Sequence, residues 1–146
     1  DIYGLSTFLG IRETRRVYGD YRVTREDVLT ARQFDDQIAL CGAPIEDHHS
    51  GDGTEWKYLP EGSAVGIPLS ALRVKDSENL LVAGRCFSAT HDAHASIRSM
   101  AQCMAMGAAA GVNAALATSE KKAIREVKIE DVQSTLIKSG AVLTTP

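Results

Sequence analysis

The order of apolar and polar positions predicts short strands and helices separated by polar turns. Residues 9–24 read as extended structure that is interrupted at Gly19-Asp20, a dipeptide that favours turns. Thr24 is followed by acidic residues, which predicts a capped helix start. The apolar positions beyond it predict a helical face that ends near Gly42.

The middle of the chain alternates between turn-rich and apolar segments. Residues 43–63 are rich in Gly, Asp, Ser and Pro, and they predict a loop or two short strands joined at 51–53. Residues 65–72 predict a strand, and Pro68 favours an edge position because proline cannot donate a ladder hydrogen bond. Residues 80–84 form an apolar run that ends in glycine, which is typical of a buried parallel strand before a functional turn.

Two helices are predicted in the last third of the chain. Residues 96–117 are apolar on nearly every side, so the predicted helix should be buried on several sides. The small residues at 107–111 imply close approach of another backbone. After a charged connector, Glu130 opens a predicted short helix that runs through Ile137 and stops at Gly140.

Composition and charge narrow the class of protein only a little. The chain of 146 residues suits one domain, and a net charge of −3 argues against a nucleic-acid-binding protein, which usually carries a basic stripe. No signal peptide is recognised, and no stretch is expected to be long and apolar enough to span a membrane. Three cysteines without metal-like spacing do not predict a disulfide framework, so a reducing, cytoplasmic compartment is expected.

The turn at Gly84 carries the strongest chemical signal. A missing side chain lets a ligand approach the backbone there. A loop rich in Ser, Thr and His follows, and the next helix should begin at about 96–100 with its unpaired N–H groups facing that loop. Such a helix start suits a phosphate, a carboxylate or another electron-rich acceptor. The alternative is an ordinary strand–turn–helix unit in which Gly84 is only a turn residue.

Three segments together resemble the carboxy-terminal part of the FAD-dependent oxidoreductase family: 9–20 (LGIRETRRVYGD), 67–72 (IPLSAL) and 79–111. The last of them reads NLLVAGR, then CFSATH, and later RSMAQCMAMGAAAG. This family is glutathione-reductase-like and distantly similar to the fumarate reductase and succinate dehydrogenase flavoproteins. The resemblance implies an α/β fold (α+β for the isolated piece), namely the carboxy-terminal portion of a Rossmann-like FAD-binding fold with short strands and a long buried helix.

The resemblance also implies FAD as the cofactor and assigns residues to its site. Gly84 and Arg85 are expected near the ribityl and pyrophosphate part of FAD, with Cys86 beside them. The helix start is expected at the pyrimidine edge of the flavin, with these residues: Arg98, Ser99, Met100 and Ala101. The resemblance places the GIRETRR segment on the substrate side. A simpler interpretation of Cys86 is a small apolar filler.

One part of the family pattern is missing from this sequence. The family binds ADP through an amino-terminal strand–GxGxxG–helix, and no such element occurs here. The chain starts at Asp1 without an initiator Met. We therefore expect a fragment of a longer enzyme, or a chain that associates with a separate dinucleotide-binding subunit. Alone, it should expose its apolar helix, so self-association is expected.

Four residues are the candidates for catalysis on a small organic substrate: His91, His94, Arg12 and Arg16. Either imidazole could exchange a proton near the flavin, although a surface histidine without a role is equally compatible with the sequence. Alternation along a strand would put both arginines on one face, where they could grip a substrate carboxylate. On the same reasoning Glu13 and Arg15 share the other face and are interpreted as structural ion pairs.

The sequence thus predicts an enzyme that, when intact, moves a hydride between an organic substrate and flavin. We divide it into the end of a substrate or cap region (1–64), a flavin-contacting strand–turn–helix (65–118), and a connector with a terminal helix (119–146). A non-catalytic module derived from a flavoprotein is one alternative. A metal-dependent hydrolase is another, built on histidine and aspartate clusters at 47–49 and 91–94, although no metal site is predicted.

Overall fold

A computed structural model describes residues 4, 7, 8, 10–48 and 53–145. These residues form an α+β arrangement around one apolar core. Its helices are α1 (Arg25–Leu29), α2 (His91–Ile97), α3 (Met100–Glu120) and α4 (Ile129–Lys138), and its strands are β1 (Gln37–Cys41), β2 (Ile45–Asp47), β3 (Glu55–Lys57) and β4 (Val65–Pro68). Both of the two-stranded sheets are antiparallel, so the described part of the chain has no parallel sheet of its own.

Helix α1 begins where the sequence predicts, because Thr24 and Asp27 cap it reciprocally. The backbone N–H of Asp27 donates to Thr24 Oγ1 at 3.3 Å, and the backbone N–H of Thr24 donates to the Asp27 carboxylate at 2.8 Å. Tyr21 and Arg32 donate to the same carboxylate at 2.8 and 3.0 Å. Burial alone would raise the pKa of Asp27, but these hydrogen bonds outweigh burial and lower the pKa.

The predicted helical face from α1 to Gly42 is wrong. Ala31 has a φ of 50°, a left-handed conformation that cannot continue a helix. Strand β1 instead pairs antiparallel with β4, so pairing with a distant segment overrides the local helical spacing. The strand predicted at 65–72 is confirmed in its first half, and the chain then turns into a 3₁₀ helix, Leu69–Ala71.

The turn-rich segment contains a hairpin. Strands β2 and β3 pair antiparallel, with Ile45 opposite Lys57 and Asp47 opposite Glu55. This confirms the two-strand interpretation of 43–63. The residues predicted to form the turn, Gly51 and Asp52, lie outside the described residues.

The buried parallel strand predicted at 80–84 is wrong. Within the described chain, Leu81 forms one isolated antiparallel bridge with Arg73, and Leu80 is half exposed. Gly84 has a φ of +75° and opens a second 3₁₀ helix, Gly84–Cys86. The apolar run lacks a neighbouring parallel strand among the described residues, and such a partner is what would bury both of its faces.

The long helix predicted at 96–117 is α3, which begins later and ends later than predicted, and most of the separate helix α2 lies in the segment before Ser96 that the sequence predicts as a loop. Helix α2 ends at Ile97, and Ser99 takes an extended conformation (φ −69°, ψ 161°) as the N-cap of α3. The predicted burial on several sides is also wrong for the described chain: the fully buried residues of α3 recur every three or four positions, which leaves the opposite face exposed. These buried residues are Met106, Ala109, Asn113 and Ala117.

Helix α3 is long and apolar enough to cross a membrane when length and composition alone are considered, with a mean hydropathy of 1.3 over its best window. The expectation that no stretch passes this test is therefore wrong, because Gln102 and Asn113 are too few to lower the mean. Core helices of proteins that never enter a membrane pass the same test, so the match by itself assigns no membrane role.

The core draws residues from all four helices and from β1, β2 and β4, and it sets the position of the loops around Gly84. Phe87, Ile97, Val23 and Leu72 are fully buried in it. Helix α3 packs against β1 and α4, and it also contacts the 3₁₀ helix that starts at Gly84. Helix α4 begins one residue before the predicted Glu130 and ends one residue after the predicted Ile137. These contacts hold the start of α3 beside the loop 84–91.

Candidate functional site

The structure brings Gly84 next to the first turn of α3. A β-carbon placed on Gly84 would lie 3.7 Å from both Cβ and Sγ of Cys103. The helix begins at Met100, four residues later than the earliest predicted start at Ser96. Gly84, Met100 and Cys103 line one side of a mainly apolar cavity of about 460 Å³, together with Arg85 and Met104.

The start of α3 is not capped by any described side chain. Ser99 makes no capping hydrogen bond to the helix backbone. Its hydroxyl donates instead to the side-chain oxygen of Gln102. The first backbone N–H groups of a helix have no partner within the helix. The N–H groups of Met100 and Ala101 are therefore available to an electron-rich ligand.

Arg85 connects the start of α3 to the amino-terminal segment. Its guanidinium group donates to the backbone carbonyl of Ile11 at 3.0 Å and to that of Arg98 at 3.5 Å. The thiol of Cys86 lies 3.4 Å from the Ala83 carbonyl. Burial raises the pKa of the Cys103 thiol, so this cysteine stays protonated near neutral pH.

One carboxylate, that of Glu13, gathers residues from three segments of the chain. Its Oε2 lies 2.8 Å from Nδ1 of His91, 3.4 Å from a guanidinium nitrogen of Arg98 and 3.6 Å from Nδ1 of His94. Its Oε1 lies 3.0 Å from Arg16. The predicted alternation of faces along 12–16 is therefore wrong: Glu13 and Arg16 form an ion pair because this segment is not a strand.

His94 is fully buried, and its ring is fixed on several sides. Its Nε2 donates to the carbonyl of Arg85 at 2.7 Å, and its ring stacks on Phe87 with 5.6 Å between centroids. Burial lowers the pKa of His94, although the Arg85 carbonyl and Glu13 oppose this shift. A carbonyl can only accept a hydrogen bond, so the neutral ring carries its proton on Nε2 and presents an unprotonated Nδ1 to Glu13.

His91 differs from His94 in being partly exposed. It is the first residue of α2, which Thr90 caps through its hydroxyl. The side chain of His91 lines a cavity of about 290 Å³, with the residues Arg12, Glu13, Glu46, Asp47, His48 and Arg98. Burial lowers the pKa of Arg98, and the charge of Arg12 lowers it further, because the two cations lie close together. This cavity is the structure's candidate for a substrate pocket.

A third cavity lies between the other two. It has a volume of about 360 Å³ and shares Arg12, Glu46 and Arg98 with the His91 cavity. It shares Arg85 and Met100 with the cavity at Gly84. Five of the predicted cofactor residues line one continuous series of cavities with the predicted substrate residues Arg12 and His91: Gly84, Arg85, Arg98, Ser99 and Met100. Cys86 lines none of these three cavities, and the side chain of Ala101 lines a separate cavity beside β1. Arg16 and His94 contact Glu13 from the side away from these cavities.

Sequence reasoning missed Glu13 as a member of the site. The other side chains that contact its carboxylate belong to α2 and to Arg98, which lie far along the chain from Glu13. Its only local signal is the i, i+3 spacing to Arg16, which is visible only when the segment is not treated as a strand.

Among the described residues, no group of three or more His, Cys, Asp or Glu side chains could hold a metal ion. His49, which belongs to the first of the two clusters considered for a metal, lies outside the described residues. The nearest histidine–carboxylate pair in that loop is His48 with Glu46, at 3.3 Å. The described residues thus contain no set of metal ligands of the kind that the metal-dependent hydrolase alternative requires.

Comparison with known families gives one match. The family described as FAD dependent oxidoreductase matches residues 1–136. The match includes both the segment around Glu13 and the whole of the Gly84 turn with α3. Neither a curated protein nor a solved structure shows a significant match to this chain.

Proposed function

Because this chain belongs to the family of FAD-dependent oxidoreductases, whose cofactor is FAD, we propose that it supplies the carboxy-terminal wall of a flavin site and the adjoining pocket for a small organic substrate. The family membership supports a flavin-linked redox role in general. The assignment of particular residues and of a hydride-transfer reaction is our proposal.

The uncapped start of α3 beside Gly84 is the observation that carries this proposal. The residues present fit FAD chemically, because a flavin combines a flat apolar ring with electron-rich carbonyl oxygens. Met100, Met104 and the side-chain-free Gly84 offer an apolar surface for the ring. The N–H groups of Met100 and Ala101, with the positive end of the helix dipole, favour the oxygens.

The other predicted cofactor residues support this arrangement from the sides. Arg85 and Arg98 add positive charge next to the start of α3, and Ser99 lies at its first turn. Cys86 lies one turn of 3₁₀ helix from Gly84 and packs its thiol against the local backbone. We propose that Gly84, Arg85 and Cys86 border the ribityl side of FAD, and that Arg98 to Ala101 border its pyrimidine side.

FAD, when bound, supplies hydride acceptance or donation. The chain's own residues would then bind and orient the substrate in the cavity at His91. Arg12 has no ion pair among the described residues and lines both polar cavities, so it is suited to an anionic group of the substrate. His91 is the partly exposed imidazole of the site and is suited to exchange a proton with the substrate.

We further propose that a dinucleotide-binding half covers the exposed face of α3 in the complete protein, and that the protein works in the cytoplasm. Exposed small residues along that face, including Gly107, Ala108 and Gly111, permit close approach of another backbone. The half could belong to the same polypeptide or to a separate subunit.

The proposal can be tested with protein that contains this chain together with a dinucleotide-binding half. Met100 is exposed in the first turn of α3, where an acidic residue favours the helix itself, and it lines the proposed flavin cavity. We expect Met100→Glu to keep the fold but to bind FAD about three- to tenfold more weakly than Met100→Gln, because its carboxylate repels the flavin oxygens. Met100→Gln has nearly the same shape without the charge and is therefore the matched control.

Two results would contradict the proposal. If Met100→Glu and Met100→Gln bind FAD equally well in a fluorescence titration, the start of α3 does not face the flavin. If the folded parent protein binds no FAD at all, the chain is a module that kept the fold and lost the cofactor. Circular dichroism spectra of the variants show whether the helices are intact.

A further inference from the structure

The arrangement around Glu13 distinguishes the two histidines that the sequence left equivalent. His94 is fully buried and lines none of the three cavities at the site, so it cannot touch a substrate there. Its Nε2–H is held by the Arg85 carbonyl at 2.7 Å. Its ring therefore fixes the loop 85–94 and leaves proton exchange to His91.

The carboxylate of Glu13 determines which nitrogen of His91 carries the proton. Nδ1 of His91 lies 2.8 Å from Oε2, and a carboxylate can only accept a hydrogen bond. The neutral imidazole is therefore held with its proton on Nδ1, which makes Nε2 the basic nitrogen.

Two guanidinium groups hold the Glu13 carboxylate in place. Arg16 contacts Oε1 at 3.0 Å, and Arg98 contacts Oε2 at 3.4 Å. Arg98 is half-buried between the helices, and its backbone carbonyl also accepts from Arg85. The carboxylate side chain is only 17% exposed, so it cannot swing into solvent without losing these contacts. Arg16 therefore acts on the site indirectly, because it holds the Glu13 carboxylate and does not line the pocket.

We propose that Glu13 is a positioning residue that holds His91 as the proton-exchanging group of the substrate pocket, and that the substrate is an alcohol or amine with an anionic group. This inference rests on the proposed function. The substrate's O–H or N–H bond would break and give its proton to Nε2 of His91. The adjacent C–H bond would break and give its hydride, with both electrons, to the cofactor, so that a C=O or C=N bond forms. The anionic group would lie at Arg12, next to the pocket wall.

Nuclear magnetic resonance of the ¹⁵N-labelled chain tests the role of Glu13 and needs neither FAD nor a substrate. In the parent chain at a pH where His91 is neutral, we expect the tautomer with the proton on Nδ1 to predominate. Glu13→Ala should reduce the ratio of this tautomer to the Nε2–H tautomer about tenfold, because a hydrogen bond to a charged group is lost. Glu13→Asp should restore part of the ratio.

Glu46→Gln is the matched control, because Glu46 lines the same pocket but contacts His48 rather than His91. It should leave the tautomer ratio of His91 unchanged. If His91 of the parent chain is mainly the Nε2–H tautomer, or if Glu13→Ala leaves its ratio unchanged, the inference is wrong. Should Glu13→Ala not fold, the parent's tautomer still decides the matter. A failure here would leave the FAD-binding test untouched, so the two proposals can fail separately.

Discussion

Gly84 and Cys103 line the same cavity at the start of α3, and the separation between them leaves room for a methyl group. A β-carbon on Gly84 would meet Cβ and Sγ of Cys103 at 3.7 Å, an ordinary van der Waals distance. The need for glycine at this position therefore comes from the backbone, whose φ is +75°. Packing alone would allow alanine at position 84, whereas the backbone conformation predicts that alanine destabilises the fold.

Gly84→Ala should lower the free energy of unfolding by about 1 to 2 kcal/mol, because an L-residue is strained at positive φ. Gly107→Ala is the matched control, since Gly107 lies exposed inside α3 with no atom within 4 Å of an added β-carbon. That change should stabilise the chain by about 0.5 to 1 kcal/mol. Urea unfolding followed by circular dichroism measures both. If both substitutions changed the free energy of unfolding by the same amount, a side chain at position 84 would not strain the backbone.

The elements that depend on local signals could be predicted from the sequence. The reciprocal cap of Thr24 and Asp27 fixes the start of α1, and the two residues are only three positions apart in the sequence. Glu130 at the start and Gly140 (φ +91°) after the end place α4 to within a residue. The Gly84 turn and the helix after it also follow from neighbouring residues, which is why their juxtaposition could be foreseen.

The elements that depend on distant partners could not be predicted. The segment Gln37–Cys41 has helical spacing, but β4 captures it as a strand. The run at 80–84 looks like a buried strand, yet no parallel partner lies beside it in the described chain. Glu13 meets residues 78 to 85 positions away, which only the folded chain reveals. The outer face of α3 is apolar in composition, but nothing in the described chain covers it.

His94 should make stability fall as the solution is acidified. Burial lowers its pKa below the ordinary value of 6.5, so the unfolded chain binds a proton at a pH where the folded chain does not. The contribution is fully present above pH 6.5 and is lost progressively below it, toward the lowered folded pKa, with a limiting slope of about 1.4 kcal/mol per pH unit.

His94→Gln should remove this part of the pH dependence, because glutamine does not titrate and its amide can still donate toward the Arg85 carbonyl. His94→Asn is the comparison, because its shorter amide cannot reach that carbonyl and should cost more stability at pH 8 and above. Urea unfolding free energies measured at several pH values give the slopes. If the parent and His94→Gln have the same slope below pH 6.5, burial does not hold His94 neutral.

The exposed face of α3 should cause the isolated chain to self-associate. Met104 is 75% exposed, and Ala108, Gly111 and Ala115 continue the same exposed face along the helix. Such a continuous apolar surface tends to bind another apolar surface in water. Ala108→Lys should weaken the self-association at least about tenfold, because the burial of an ammonium group is costly, while lysine remains a good helix former.

Ile137→Lys is the matched control, because it places the same charge on α4 at an exposed apolar position, 57% accessible, away from this face. It should leave the self-association nearly unchanged. Light scattering and sedimentation over a range of protein concentrations measure the association constants. A dinucleotide-binding half that covers α3 should weaken the self-association at least as much as Ala108→Lys does. A parent chain that stays monomeric at every concentration would show that the exposed face of α3 needs no partner. The physical reason for proposing a covering half would then be removed.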